Sequence, residues 1–232
     1  ATIIKNKVVS EKFYDSIVPA IEFEIKDDAL YKNRLMMLDI VNQNNWKRPI
    51  YFTGGSFGED DYIWMKDYLQ LDGMCFKLVP IKTPAESPSP MKMGLIDSDK
   101  MYDIVMKWDW GNSGKSIIYH DVETRKNSIT YRTNLARLAE TLITEGKLEK
   151  AEKVIDLAME KMPVKYFEYY SMLEPFVIGY YEVGKKEKAR AIISEVIKKY
   201  QENLTFYNSW KPSEQNFGAI DIVSDIEYYR SL

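Results

Sequence analysis

From Leu135 onward this chain repeats itself. A shift of 38 positions lays Leu135 on Leu173, Leu138 on Phe176 and Leu142 on Tyr180. The same shift lays Gly146-Lys147 on Gly184-Lys185, Lys150-Ala151 on Lys188-Ala189, Val154-Ile155 on Ile192-Ile193, and Ala158 on Val196. Apolar residues three and four apart make one face of a helix, and in each copy a glycine interrupts that face. Each copy therefore reads as helix, glycine turn, helix. The glycine stops the first helix, and the small alanine lets the second pack close against it. A lone hairpin of this kind cannot bury its apolar face, so the copies are expected to stack.

The pattern resembles the tetratricopeptide repeat, whose unit is about 34 residues, with a few extra residues in the connection. Two units fall short of the roughly three that usually stand alone. The tail "EQNFGAIDIVSDIEYYRSL" is expected to supply a closing helix through Ile220, Val223, Ile226 and Tyr229. This places an all-α tetratricopeptide-like domain over 126–232.

The first half alternates signals and reads as a small α/β domain over 1–125. "IEFEIK" (21–26) puts Ile21, Phe23 and Ile25 on one face, which predicts a half-buried strand. "YKNRLMMLDIVNQNN" carries Leu35, Met36, Leu38, Ile40 and Val41 at helical spacing. "RPIYFTGG" predicts a strand near 49–53 buried on both faces. "EDDYIWMKDYLQLDG" predicts a helix with acids at its start and Gly73 past its end. "MCFKLVPIK" predicts a strand near 74–81. Strand, helix, strand, helix, strand suggests a small parallel or mixed sheet with right-handed crossovers. "TPAESPSPMKMG" (83–94) reads as a surface loop, and "DSDKMYDIVMKWDW" as a short helix.

A net charge of −3 gives no field that would draw the chain to phosphate backbones, so nucleic acid is not an expected partner. No apolar run approaches the roughly 18 residues that cross a bilayer. The start "ATIIKNKVVSEKF" lacks an initiator Met and the apolar core of a signal peptide, as in an excised piece or a processed chain. The single Cys75 removes any intrachain disulfide or multi-cysteine metal site, and its apolar setting suggests a buried, inert thiol.

Several motifs imitate reactive sites. "GNSGKS" (111–116) looks like a phosphate-binding loop, but the required first glycine falls on Asp109, so a surface turn is expected. "DSD" (97–99) imitates a metal-holding Asp-x-Asp, yet it opens a helix, where such residues cap free N–H groups. Glu59, Asp60 and Asp61 likewise sit at a helix start, where the macrodipole favours negative charge. His120 is the only histidine and has no nucleophile or base assigned to it; a helix-start or core-edge position is expected. No catalytic residue, cofactor or metal site is expected. The candidate ligand or partner surface comprises Gly54, Gly55 and Ser56 at the end of a strand, and the aromatics Trp108, Trp110, Tyr169 and Tyr170. Trp108 and Trp110, or Tyr166, Phe167, Tyr169 and Tyr170, are candidates for a stacking surface for sugar or peptide.

Three stretches carry a family resemblance: "NNWKRPIYF" (44–52), "DYLQLDGMCFKLVPIK" (67–82) and "RTNLARLAETLITEGKLEKA" (132–151). Together they resemble the C-terminal soluble region of a Bacteroidetes-type family of large membrane proteins. That family is grouped with protein O-glycosyltransferases of the glycosyltransferase C fold. The resemblance runs from about Asp27 to about Tyr207 and includes "MKWDWGN"; residues 1–26 and roughly the last 25 lie outside it. It implies a non-catalytic periplasmic module, because in such families the catalytic carboxylate lies in a loop between membrane helices and the sugar donor is lipid-linked. The implied partners are a protein or peptide, or the parent's membrane domain. "DSI" (15–17) also fits the short acceptor pattern for O-glycosylation in such bacteria, at Ser16. Two alternatives remain: a free-standing scaffold binding a peptide or partner helix, and a small-ligand α/β domain using Thr53, Gly54, Gly55 and Ser56.

Overall fold

A computed structural model describes residues 2–22, 24, 29–53, 63–83, 92–113, 119–209 and 218–232. The chain divides into two compact units, Ala1–Val105 and Met106–Leu232. The first is a small α/β unit around a three-stranded sheet; the second is helical throughout its regular elements.

The first unit begins with α1 (Thr2–Lys5), a 3₁₀ turn at Glu11–Ser16, and α2 (Lys32–Asn44). Its sheet holds β1 (Tyr51–Thr53), β2 (Leu69–Asp72) and β3 (Cys75–Leu78) in the order β1-β3-β2, and both pairs are antiparallel. The predicted parallel or mixed sheet with crossovers is therefore corrected to an antiparallel one, although one parallel bridge joins Gln70 to Leu95 beside β2. The cause lies in "YLQLDG". Ile63–Tyr68 is a 3₁₀ turn, and Leu69–Asp72 is a strand rather than the end of a helix. All four strand residues are buried, so an amphipathic helix would have no face to turn to water. Gly73, at φ 72°, turns the hairpin between β2 and β3 instead of ending a helix.

β1 lies at the sheet edge, with Tyr51 45% exposed, and is not buried on both faces. Ile21, Glu22 and Glu24 carry no strand, and the Glu22 amide donates instead to the Tyr68 hydroxyl (3.1 Å). The rest of the 21–26 stretch lies outside the described residues, as do Glu59, Asp60, Asp61, Gly54, Gly55 and Ser56. α2 forms where expected, but Leu35 and Ile40 are exposed and its one buried residue is Arg34. Past β3 the chain continues into Val79 and Ile81, which pack with Val8 and Val9; half-buried Phe13, Ile17, Trp46 and Leu95 surround them. The unit ends in α3 (Ser98–Val105), which buries Met101 and Val105 and packs against β2.

The second unit contains α4 (Val122–Thr144), α5 (Leu148–Lys161), α6 (Val164–Phe167), a 3₁₀ turn (Tyr170–Leu173), α7 (Glu174–Glu182), α8 (Lys186–Asn208) and α9 (Gly218–Ser231). α4 starts on Asp121, whose carboxylate accepts the Thr124 amide (2.8 Å). α4 packs on α5 and α7 on α8, with α7 also against α4 and α5, and α9 against α8.

The two hairpin turns match bond for bond. Gly146 (φ 74°) donates to Ile143 O, and Gly184 (φ 76°) to Tyr181 O. Lys147 donates to Leu142 O (2.8 Å), and Lys185 to Tyr180 O (2.7 Å). Leu135, Leu138 and Leu142 are buried, and so are Leu173, Phe176 and Tyr180. Ala151, Val154 and Ala158 correspond in burial to Ala189, Ile192 and Val196; Ile155 is buried where Ile193 is half-buried. Each fully buried aliphatic side chain contributes about 1.5–3 kcal/mol, so these matched faces hold the hairpins closed. In α9, Ile226 and Tyr229 are buried while Val223 is 48% exposed; the Ile220 side chain lies outside what is described.

Candidate functional site

α5 ends at Lys161, but α8 runs on to Asn208, beyond the length that the 38-residue shift would give it. That extension carries Tyr200, Asn203, Phe206 and Tyr207. Facing it is the connection between the hairpins, 168–171. Between them lies a partly open pocket of about 490 Å³. Its aromatic lining is Tyr169, Tyr170, Tyr200, Phe206 and Tyr207; its polar lining is Glu168, Ser171 and Asn203. Tyr170 and Tyr200 meet edge to face with ring centres 5.1 Å apart.

The backbone of this wall is held in a costly shape. Glu168 sits at φ 46°, ψ −147°, and Tyr169 at φ 50°, ψ 55°. Residues with a Cβ avoid positive φ, and each such conformation costs about 1–3 kcal/mol. Arg132 on α4 holds it. Its side chain is fully buried, and its guanidinium donates to Glu168 O (2.6 Å) and Met162 O (2.9 Å), with Tyr169 O at 3.5 Å. Burial pushes its pKa down to about 10, with the nearby Tyr229 and Tyr170 opposing, so the group stays cationic at neutral pH. Carbonyl dipoles are what it touches.

Further bonds lock the pocket from outside. Arg125 pairs with the Glu168 carboxylate. The Tyr200 hydroxyl donates to Asp225 (2.5 Å) and the Tyr229 hydroxyl to Tyr170 O (2.5 Å), which ties α9 to the site. Burial raises the Tyr170 phenol above its ordinary value, with Glu168 adding to the shift. Burial also raises that of Tyr200, helped by its bond to Asp225. Both stay protonated across the physiological range.

A second polar cluster sits in the first unit. Alternation along the strands puts Leu69, Leu71, Phe76 and Leu78 on one face of the sheet, and Tyr51, Gln70, Asp72 and Lys77 on the other. That polar face is nonetheless covered: Gln70, Asp72 and Lys77 are all buried. Lys77 Nζ donates to Val8 O, Gln70 Nε2 to Asp72 (2.7 Å), and Tyr51 OH to Asp72 (3.0 Å); Lys100 of α3 approaches Asp72 at 3.5 Å. Asp97 accepts from Ser10 and pairs with Lys12 (3.1 Å). Burial and the neighbouring Lys100 push Lys77 down to about 8. Burial and Asp72 push Tyr51 up to about 12. The "DSD" stretch thus places Asp97 in this network and Ser98 and Asp99 in the first turn of α3. Among the described residues no group of three or more His, Cys, Asp or Glu converges as a metal ion would need.

Tyr169 and Tyr170 line the pocket. Trp108 and Trp110 do not; they cluster with Tyr131, with ring centres 5.5–5.6 Å apart. His120 is half-buried and packs on Phe167 (4.4 Å), one residue before the α4 cap. In "GNSGKS", Gly111 donates to Asp109 and Ser113 to Lys161 O (2.6 Å) in an ordinary turn, while 114–118 lie outside the described residues. Cys75 is half-buried on the polar face of the sheet rather than fully enclosed. Sequence reasoning missed Arg132, Lys77 and the extended end of α8. The signal for Arg132 was present: it continues the apolar face of Leu135, Leu138 and Leu142 by one turn, where a cation needs acceptors.

The chain is thus a small antiparallel α/β unit followed by a unit of packed helical hairpins, and the pocket described above lies in the latter. A family model described as TMEM260-associated domain 2 matches residues 1–100, so the first unit is similar to that domain. Two of the stretches that carry the resemblance, 44–52 and 67–82, fall inside the match; 132–151 falls outside it, and residues 1–26 are now covered. No curated protein and no solved structure matches the chain significantly. No described helix is long and apolar enough to cross a membrane.

Proposed function

We propose that the chain is a non-catalytic recognition module of a membrane-associated, protein O-glycosyltransferase-like parent, placed on the periplasmic side. Its helical unit acts as a pair of tetratricopeptide-like repeats closed by α9. The match of residues 1–100 to a TMEM260-associated domain supports the membrane-protein link, and the paired hairpin turns support the repeat reading. One observation carries the recognition role: a fully buried Arg132 holds the strained 168–169 backbone in the wall of an aromatic pocket. Strain maintained at a pocket is preorganisation for a ligand. The carboxylates beside the pocket are already bonded, Glu168 to Arg125 and Asp225 to Tyr200, so they form a scaffold rather than a poised acid and base.

The test is a photo-crosslinking residue placed in the parent protein in cells, at Tyr207 in the pocket or at exposed Lys153 on α5. A discrete adduct is expected from position 207 and none from 153. Identical adducts from both, or none from either, would refute the recognition role. Sugar transfer by the isolated chain would refute its non-catalytic character.

A further inference from the structure

We propose that the pocket between the 168–171 connection and the end of α8 binds a neutral pyranose ring, so that the module recognises its partner through a sugar. This rests on reading the helical unit as a recognition module, and it names what that module takes.

Charge decides the class. Among the described residues no lysine or arginine lines the pocket, so a phosphate or uronate would enter without a counter-ion from them. Among the described residues the cations beside it are committed: Arg132 to backbone carbonyls of the wall, Arg125 to Glu168, and Lys199 to Glu202 (2.7 Å). Those pairings also commit Glu168, the one carboxylate in the described lining, and Asp225 is held by Tyr200, so an ammonium or guanidinium ligand meets no unpaired carboxylate in that lining. What remains is uncharged: ring faces, the Asn203 amide, and the hydroxyls of Tyr169 and Ser171, none of which has a hydrogen-bond partner among the described residues.

A neutral ligand that uses both sets of groups needs an apolar face and several hydroxyls. A pyranose has both. Its polarised C–H face lies on the electron-rich face of an aromatic ring, while its hydroxyls take directional bonds from amide and phenol groups. The edge-to-face Tyr170–Tyr200 pair makes a corner, and Phe206, 59% exposed, stands at the rim with Tyr207 beside it (5.9 Å). The Arg132 bonds fix one wall in advance, so a ligand this small does not have to order the loop on entry.

The experiment titrates the full 232-residue chain with methyl glycosides of glucose, galactose, mannose and N-acetylglucosamine, followed by saturation-transfer NMR and calorimetry. Glucuronate, choline and a hexaproline peptide serve as charged and peptide probes. At least one neutral glycoside is expected to bind with a Kd on the order of millimolar. Phe206→Ala and Asn203→Leu are each expected to weaken it roughly five- to tenfold, with the circular-dichroism spectrum and Tm unchanged because both residues are exposed. If Phe206→Ala alters the fold, Asn203→Leu carries the test. Choline or hexaproline binding in place of every glycoside overturns the sugar and leaves recognition standing. Binding of no probe, or sugar binding indifferent to both substitutions, overturns the site itself. The crosslinking from position 207 reads the recognition role without any sugar.

Discussion

Each of the two units buries a basic side chain, and they do it in opposite ways. Lys77 lies under the first unit's sheet within a network of titratable groups: Lys100 on α3, Asp72 on β2, Tyr51 on β1 and Asp97 just before α3. Arg132 lies in the second unit against three backbone carbonyls, and no carboxylate among the described residues pairs with it. A buried lysine is a compact point charge that gives up its proton readily; a guanidinium is a rigid fork that keeps its charge. The first arrangement therefore responds to pH, while the second fixes a shape. A rigid fork is what a strained pocket wall requires, which is one reason to place recognition in the helical unit.

Breaking the Arg132 fork should have the largest effect. Arg132→Met removes the donors from the buried Met162 O and the partly buried Glu168 O, and it frees the positive-φ pair at 168–169. Each buried acceptor left unpaired costs about 1–3 kcal/mol, so a loss of about 3–5 kcal/mol is expected in urea unfolding. Arg132→Lys should recover only part of it, because one ammonium cannot reproduce the fork. Equal stability of the lysine variant and the native chain would reduce Arg132 to a simple charge and erase the contrast with Lys77.

The Lys77 side of the comparison is read through pH. Unfolded, this lysine keeps its proton to about 10.5; folded, to about 8. Between those values the unfolded chain binds more protons, so stability rises as pH increases from 8 to 10. Below 8 both states are protonated and the penalty is constant. Tyr51, pushed up to about 12, acts in the opposite sense but only above its ordinary value of 10. The expected gain across the window is about 2–3 kcal/mol, from roughly 1.4 kcal/mol per pH unit. It is measured by chemical unfolding of the native chain against Lys77→Met, which should lose the upward slope. A slope that persists in the variant would assign it to another group.

The helical unit was the more legible of the two, for a physical reason. Its contacts are local, so the offset between Gly146 and Gly184 already sets where each helix stops and which faces meet. The sheet depends on distant pairings. In "YLQLDG" the alternation of Leu69 and Leu71 with Gln70 and Asp72 is also compatible with a helix end, and only burial of both faces selects the strand. The buried polar face could not be read from alternation either, because alternation distinguishes the faces without saying what covers the polar one. The pocket was half legible. Tyr169 and Tyr170 stood out as clustered aromatics, but Tyr200, Phe206 and Tyr207 join them only because α8 outruns its counterpart α5. Nothing in one sequence marks that extension as more than a long helix.

The smallest effect tests the premise on which the helical unit rests. Gly146 and Gly184 share a left-handed conformation and the same pair of capping bonds, and an added Cβ at either would meet nothing within 4 Å. Steric crowding with neighbours is therefore absent at both, which leaves the intrinsic cost of positive φ for alanine, about 1 kcal/mol. Gly146→Ala and Gly184→Ala should each lower stability by about that amount, and by the same amount within the error of urea unfolding. The double variant should lose the sum, because the turns share no partner. Equal, additive costs would mean that the two hairpins are closed by one device used twice. A large loss at one turn and none at the other would show that matched geometry conceals different roles, and the repeat reading would fall with it.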